Sequence, residues 1–392
     1  MFAGPGSPVN ARSVLQMVEW NARRRDVMPG VVFGDRYGAI RFVVRSMVQG
    51  AYGRRKLAQV LIRGFMSRFL LFLLSFVLSL SVSAQTAAFV VGEKASGSIG
   101  FYDSEFHRIG DVKVGTHPHE IVLTPDRKTL YVADNGVMWM TETGPGDNTV
   151  SIVDVGSMKR TGTIDLGEFR RPHGITYDAI SNRVYVTTEK PSKLLVLDPK
   201  ALKVLRTYDV KGEAPHIVKL DPNREWAYVS NTNTGNFSAI KLDSGETISM
   251  PSGERPQGQA MSPDGSRIFV ANSGGNSISI FDLQKKKNVG QIVTSGKAPV
   301  RLVVSNDGKT LIYALQEGRT VGFADIATRK ELAEIPLNGR PVSMSLSLDG
   351  KLAYCSVQEE DEINIISVPD RKIIKVVHTP KGTGPDPVVP LR

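Results

Sequence analysis

The chain has 392 residues, 41% hydrophobic and 22% charged, a globular balance that excludes wholesale disorder. A single cysteine, Cys355, excludes a disulfide framework within the chain and any multi-cysteine metal or iron–sulfur centre. The formal charge of +10 is unevenly placed: residues 1–84 hold twelve Lys/Arg against Glu19, Asp26 and Asp35, a net of +9, which leaves 85–392 at +1 and removes the electrostatic case for nucleic-acid binding by the body of the chain.

Residues 1–65 show neither a helical nor a strand period, and are expected to be a misassigned start or a disordered basic extension. From Met66 the order changes. Arg68 is followed by an apolar run from Phe69 to Leu80, and Val82-Ser83-Ala84 puts small residues where a leader peptidase cuts. This three-part pattern reads as a signal peptide over 66–84, too short for a comfortable membrane span. The expectation is an exported protein (periplasmic, cell-surface or secreted) with a functional body at 85–392 and no stable membrane span after cleavage.

The body is a repeat. Prolines 118, 172, 215, 256, 299, 341 and 385 are separated by 54, 43, 41, 43, 42 and 44 residues. A turn follows most of them at a fixed offset, as in Pro263-Asp264-Gly265, Asn306-Asp307-Gly308 and Leu348-Asp349-Gly350. An aromatic then opens a β-branched step (Tyr131, Tyr185, Tyr228, Phe269, Tyr354), and an alternating run ends in aspartate, as in Ile278-Ser279-Ile280-Phe281-Asp282. Each unit predicts four short strands, and one such sheet cannot cover its own apolar faces. Radial packing of these units makes an all-β propeller. Six units are complete. The leftover strands near Ala88–Val91, Ser98–Asp103 and Ile109–Val114 need one more, which Pro385–Leu391 supplies, so the expected ring has seven blades of four antiparallel strands, closed between the chain ends.

Tyr228-Val229-Ser230-Asn231 and Phe269-Val270-Ala271-Asn272, with near matches at Tyr131-Val132-Ala133-Asp134 and Tyr185-Val186-Thr187-Thr188, carry a resemblance. With the proline lead and the Ser-Pro-Asp-Gly turn, residues 87–392 resemble the YVTN-type β-propeller repeat family. The resemblance implies an exported seven-bladed fold and leaves the activity open, since related propellers include lactonases, lyases and the propeller halves of haem and copper enzymes.

The residue after each leading proline reads His119, His173, His216, Gln257, Val300, Val342 and Asp386. Three consecutive blades thus place a histidine at one register near the channel, a set able to hold a divalent metal or copper, or to serve as acid and base. The long first spacing marks an insertion at 135–147 carrying Met138-Trp139-Met140, with Trp139 as an aromatic contact for a ligand. Glu189, just past the second strand of blade two, is a carboxylate partner for His173. Arg171, Arg255 and Arg340 precede leading prolines and would make the mouth attractive to anions. The aspartates ending the third strands (Asp103, Asp154, Asp198, Asp282, Asp325) recur too regularly for catalysis and are read as turn residues. No phosphate loop, nucleophile elbow, haem-attachment or zinc-protease motif occurs in the body, and no catalytic residue is assigned.

Three readings compete at this stage. The first is a monomeric scaffold binding a small molecule, anionic by preference, or a protein on the mouth face of blades one to three. The second is a metal-binding protein or metal-assisted enzyme using His119, His173 and His216. The third is a lactonase-like hydrolase working without a cofactor.

Overall fold

The computed structural model describes residues 86–392, and the expectations for 1–65 and for the leader at 66–84 lie outside the described residues. Among the described residues there are twenty-eight strands in seven antiparallel sheets of four, with one 3₁₀ turn at Gln358–Glu360. No described helix is long and apolar enough to cross a membrane. Blades one to six run in chain order over 118–165, 170–209, 215–251, 256–293, 299–336 and 345–378. The seventh takes its inner strand, Pro385–Pro390, from the end of the chain, and Phe89–Glu93, Ser98–Tyr102 and Arg108–Lys113 from its beginning. The expected seven-bladed all-β ring and its closure are therefore present.

Alternation explains the packing. In blade four, Arg267–Asn272 pairs with Ser277–Asp282 residue for residue, and both strands are almost wholly buried because each face of a middle strand meets a neighbouring blade. Phe269, Ile278, Ile280 and Ile292 of blade four meet Leu302, Leu311, Tyr313 and Leu315 of blade five in one cluster. Burying each such side chain fully is worth about 1.5–3 kcal/mol. At the closure, Phe89, Val91, Tyr102 and Val388 pack on Tyr354, Ile363 and Ile365 of blade six, while Val90, Ile99, Phe101 and Leu391 pack on Ile121, Leu130 and Val132 of blade one.

Polar repeats hold the turns. Asp154, Asp198, Asp282 and Asp325 each accept backbone N–H bonds two or three residues ahead, the turn role expected for them. The asparagine ending a second strand bridges to the next strand: Asn231 Nδ2 donates to Ser238 Oγ (2.8 Å) and Asn272 Nδ2 to Ser279 Oγ (3.0 Å).

The inner strands share a device that positions the site. The residue before the leading proline lies in the left-handed region in six blades: His117, Arg171, Ala214, Arg255, Ala298 and Gly384. A register shift follows each of those prolines, as between Pro118 and Ile121 or Pro172 and Ile175. The residue after the proline therefore sits in a β-bulge, a feature that re-aims side chains at the rims of sheets. Blade six lacks the kink, and its inner strand shrinks to Ser345–Leu346 plus the bridge Pro341↔Val357.

In blade one the bridging position is Asp134, fully buried and accepting from Ser151 Oγ (2.7 Å), Thr149 Oγ1 (2.8 Å) and Gly115 N (2.9 Å). Burial outweighs these bonds and pushes its carboxyl up from 3.8 to about 6. A carboxyl whose folded pKa lies above its unfolded value stabilises the fold only while protonated, and that contribution is lost as pH rises through the interval from 3.8 to 6. Asp134→Asn, the residue that blades three and four carry at this position, should therefore raise stability above pH 6 by up to about 3 kcal/mol and change it little below pH 4. Denaturant melts at both pH values check this, and equal effects at the two would contradict it.

Candidate functional site

Two registers face the same mouth. The first is the bulge residue after each leading proline. The second is the residue at one register at the end of each second strand, just past it in six blades and within the longer Arg183–Lys190 in blade two; it reads Lys94, Asn135, Glu189, Thr232, Ser273, Gln316 and Gln358 from blade seven through blade six. The ionisable members of both registers gather on consecutive blades: Lys94 and Asp386 on blade seven, His119 on blade one, His173 and Glu189 on blade two, His216 on blade three.

The three imidazoles form a staircase. The ring centroids of His119 and His173 lie 4.0 Å apart, and those of His173 and His216 lie 3.9 Å apart, each pair tilted by 40°. At one end of the stack, Lys94 Nζ lies 2.5 Å from His119 Nε2 and 3.2 Å from Asp386 Oδ2, which is 3.7 Å from His119 Nδ1. At the middle step, His173 Nδ1 lies 2.9 Å from Glu189 Oε1. Glu189 also takes Arg171 Nη1 at 3.4 Å. The histidines, Lys94 and Asp386 are all buried, yet His119 Nδ1, His173 Nε2, His216 Nδ1 and Asp386 Oδ1 have no hydrogen-bond partner. Four unpaired polar atoms in one buried cluster are unusual, because each costs about 1–3 kcal/mol.

Each cation of the cluster has a carboxylate beside it: Lys94 has Asp386, Arg301 has Glu120 and Arg171 has Glu189. Burial holds His119 and His216 well below the ordinary histidine range, and the charges of Lys94 and Arg301 push them further down. Burial likewise lowers Lys94, against the pull of Asp386, and lowers Lys219 on blade three. Burial opposes the ionised form of Glu189, but the hydrogen bond with His173 and the charge of Arg171 outweigh it and keep its pKa low. An ionised Glu189 accepts, so the proton of this bond sits on His173 Nδ1 and leaves Nε2 as the unpaired atom.

A floor and a roof complete the site. One residue further along the inner strands, Arg301 of blade five donates to Glu120 of blade one at 2.8 Å, an ion pair across the channel. Above, the insertion leaves and returns through a neck where Asp147 N donates to Asn135 O, so close to Gly136 (φ +83°) that any Cβ there would clash. Arg171 Nη2 donates to Glu142 O (2.6 Å) and Gly144 O (2.9 Å), and Lys190 Nζ also reaches Gly144 O. Glu142 Oε1 accepts from Trp139 N. Met138 Sδ accepts from Gln358 Nε2 of blade six, and Lys94 Nζ stands 5.7 Å from the centre of the Trp139 ring. The insertion thus reaches from blade two across to blade six, with Trp139 still 42% exposed.

Of the residues singled out from sequence, His119, His173, His216 and Glu189 are in one cluster and Trp139 borders it. Arg171 is buried behind Glu189, its terminal nitrogens engaged by Glu189 and the insertion rather than turned to a ligand. Arg255 is exposed on blade four, and Arg340 pairs with Glu317 on the surface at 3.7 Å; neither bonds to the cluster. Lys94, Asp386 and Glu120 are members that the sequence reading left out of its site. Asp386 stood in the proline register already, and the offset that picked Glu189 also picks Lys94.

The imidazoles stack instead of converging on one point. The grouping with the best ligand spacing is His119, Glu120 and His173, whose atoms lie within 4.8 Å of one another, and His216 falls outside it. A tetrahedral shell with bonds of about 2.0–2.1 Å needs ligand atoms nearer about 3.4 Å apart. Glu120 is already bound to Arg301. The residues as arranged fit a metal ion poorly.

The family described as Lactonase, 7-bladed beta-propeller, matches residues 252–334. That stretch covers blades four and five and contains Arg301 alone of the clustered residues. Antigen Lp49 of Leptospira interrogans is 28% identical over 122 residues, which are 28% of this chain and 26% of that protein, so the match spans about a quarter of the relative's length. Among solved structures, the hydrazine synthase of Kuenenia stuttgartiensis superposes with a TM-score of 0.62 at 18% identity, over 72% of this chain and 92% of that one. A protein of unknown function from Desulfotomaculum acetoxidans gives 0.63 at 17%, over 78% and 99%. Dihydro-heme d1 dehydrogenase NirN, in complex with DHE, gives 0.57 at 18%, over 75% and 64%. At these identities the structural likeness establishes the fold alone.

Because Arg171 ties the insertion to blade two, Arg171→Met should release it. Stability is expected to fall by about 2–3 kcal/mol, the usual loss for a hydrogen-bonded buried charge, and proteolytic cleavage within 135–147 should speed up. An insertion as resistant to protease as in the parent protein would show that its anchor lies elsewhere.

Proposed function

We propose that this is an exported, monomeric propeller that binds a small anionic molecule on its mouth face, at blades seven and one to three. One observation carries the reading: stacked imidazoles with unpaired ring nitrogens lie buried beside Lys94 and Arg301. An anion entering this cluster would accept from Lys94 Nζ and from a ring N–H of the stack, and burial would strengthen those bonds. Burial argues for a small molecule over a protein partner, since a protein surface cannot reach groups lying beneath the insertion. The near-neutral charge of the body argues against nucleic acid. The export half of the proposal rests on the leader-like run from Met66 to Ala84.

A lactonase-like hydrolase is the second reading, favoured by the His173–Glu189 bond, in which a carboxylate fixes the imidazole that would activate water. Both readings can be tested on the same untagged protein. Calorimetry with acetate, oxalate, glyoxylate and inorganic phosphate should detect at least one binder, and Lys94→Met and His173→Ala should each weaken it by about tenfold or more, the loss of one charge-assisted hydrogen bond. Turnover of a simple lactone that disappears in His173→Ala would establish the hydrolase instead. Stoichiometric zinc or copper binding with no response to any anion would overturn both.

A further inference from the structure

Lys94, His119 and Asp386 form a relay that anion binding alone does not require. The amine lies 2.5 Å from His119 Nε2, the opposite ring nitrogen faces Asp386 Oδ2 at 3.7 Å, and that same carboxylate oxygen is 3.2 Å from the amine. This is the order nucleophile, base, orienting acid, with the looser base–acid step common in unliganded sites. The amine is 2% exposed, but it sits 5.7 Å from the centre of a half-exposed indole, so one side-chain layer separates it from solvent. Asp386 Oδ1 has no partner.

We propose that Lys94 captures a small carboxylate-bearing aldehyde or ketone as an imine, with His119 moving the protons. This rests on the anion reading of the same site and names its ligand class. Burial disfavours the ammonium form of Lys94 against the pull of Asp386, and His119 Nε2 at its tip can take the proton that frees the lone pair. That pair attacks the carbonyl carbon, and the C=O π pair moves to oxygen. His119 Nε2 takes a proton from the new ammonium and returns it to that oxygen, giving a carbinolamine. A second proton leaves the nitrogen and reaches the hydroxyl by the same ring as the C–O bond breaks. The products are the C=N linkage and one water, with no oxidant or reductant consumed. Asp386 steadies the imidazolium between the two transfers, and Arg301, the guanidinium whose charge reaches Lys94, is the cation for the ligand's carboxylate.

Glyoxylate with cyanoborohydride, which reduces an imine to a stable secondary amine, tests this on the full chain. Intact mass should rise by one carboxymethyl group, and peptide mapping should place it on Lys94 ahead of exposed lysines such as Lys285 and Lys287. Lys94→Arg should abolish the first adduct, and His119→Gln should slow its formation by about a hundredfold, the usual contribution of a positioned acid–base group. Adducts spread over surface lysines, with glyoxylate still binding by calorimetry, would overturn the imine and leave the anion site standing. No adduct and no binding would overturn both. An adduct on Lys94 that forms as fast in His119→Gln as in the parent would remove the relay.

Discussion

Pairing of the last strand with the first is the constraint on which this molecule depends. Val388, Val389 and Pro390 take the inner position beside Phe89, Val90 and Val91, and the two flanking blades close their cores on that joint. Arg127 Nη1 and Ala88 add hydrogen bonds to the backbone of Leu391. Without the joint, blade seven would offer an open sheet edge and blades one and six would each expose an apolar face. The same joint delivers chemistry. Pro385 opens the closing strand, so Asp386 falls in the register that holds histidines in the next three blades, and Lys94 follows the strand paired to it. Closure therefore sets Lys94 and Asp386 beside His119, whose stack with His173 and His216 comes from blades one to three.

The cluster is asymmetric on a nearly symmetric scaffold. Each blade offers the same two mouth positions, and blades four to six fill them with Gln257, Val300, Val342, Ser273, Gln316 and Gln358, none of them charged. Blades seven and one to three fill them with one amine, two carboxylates, three imidazoles and the amide and hydroxyl of Asn135 and Thr232. The bulge after the leading proline is shared by six of the seven blades, so the scaffold supplies direction and the sequence of each blade supplies chemistry. The matched lactonase-type stretch lies on the uncharged side, which is why it speaks for the fold and says little about the site.

Much of this was legible in the sequence. Proline spacing, turn offsets and the leftover terminal strands are local signals, and they yield blade number and closure without ambiguity. Register also exposed the His119–His173–His216 set and Glu189, because a residue recurring at one offset in a propeller must recur at one height in the channel. Other contacts were not legible. Arg301 and Glu120 are 181 positions apart and meet across the channel, where neither repeat period nor local pattern relates them. Arg171 looked like a rim cation, but its left-handed backbone and burial turn it toward the insertion, and no spacing rule encodes that direction. Lys94 was hidden for a simpler reason: its blade is split between the chain ends, so the half-repeat at the start of the chain has no leading proline to set its register.

The account centres on buried imidazoles kept neutral by desolvation and by the cations around them. The most direct test is a nitrogen NMR titration of the histidine rings, from about pH 8 to about pH 5, through the ordinary histidine midpoint. The account predicts that His119 and His216 keep the nitrogen shifts of neutral rings throughout. Protonation of His119 and His216 near pH 6.5 would contradict it.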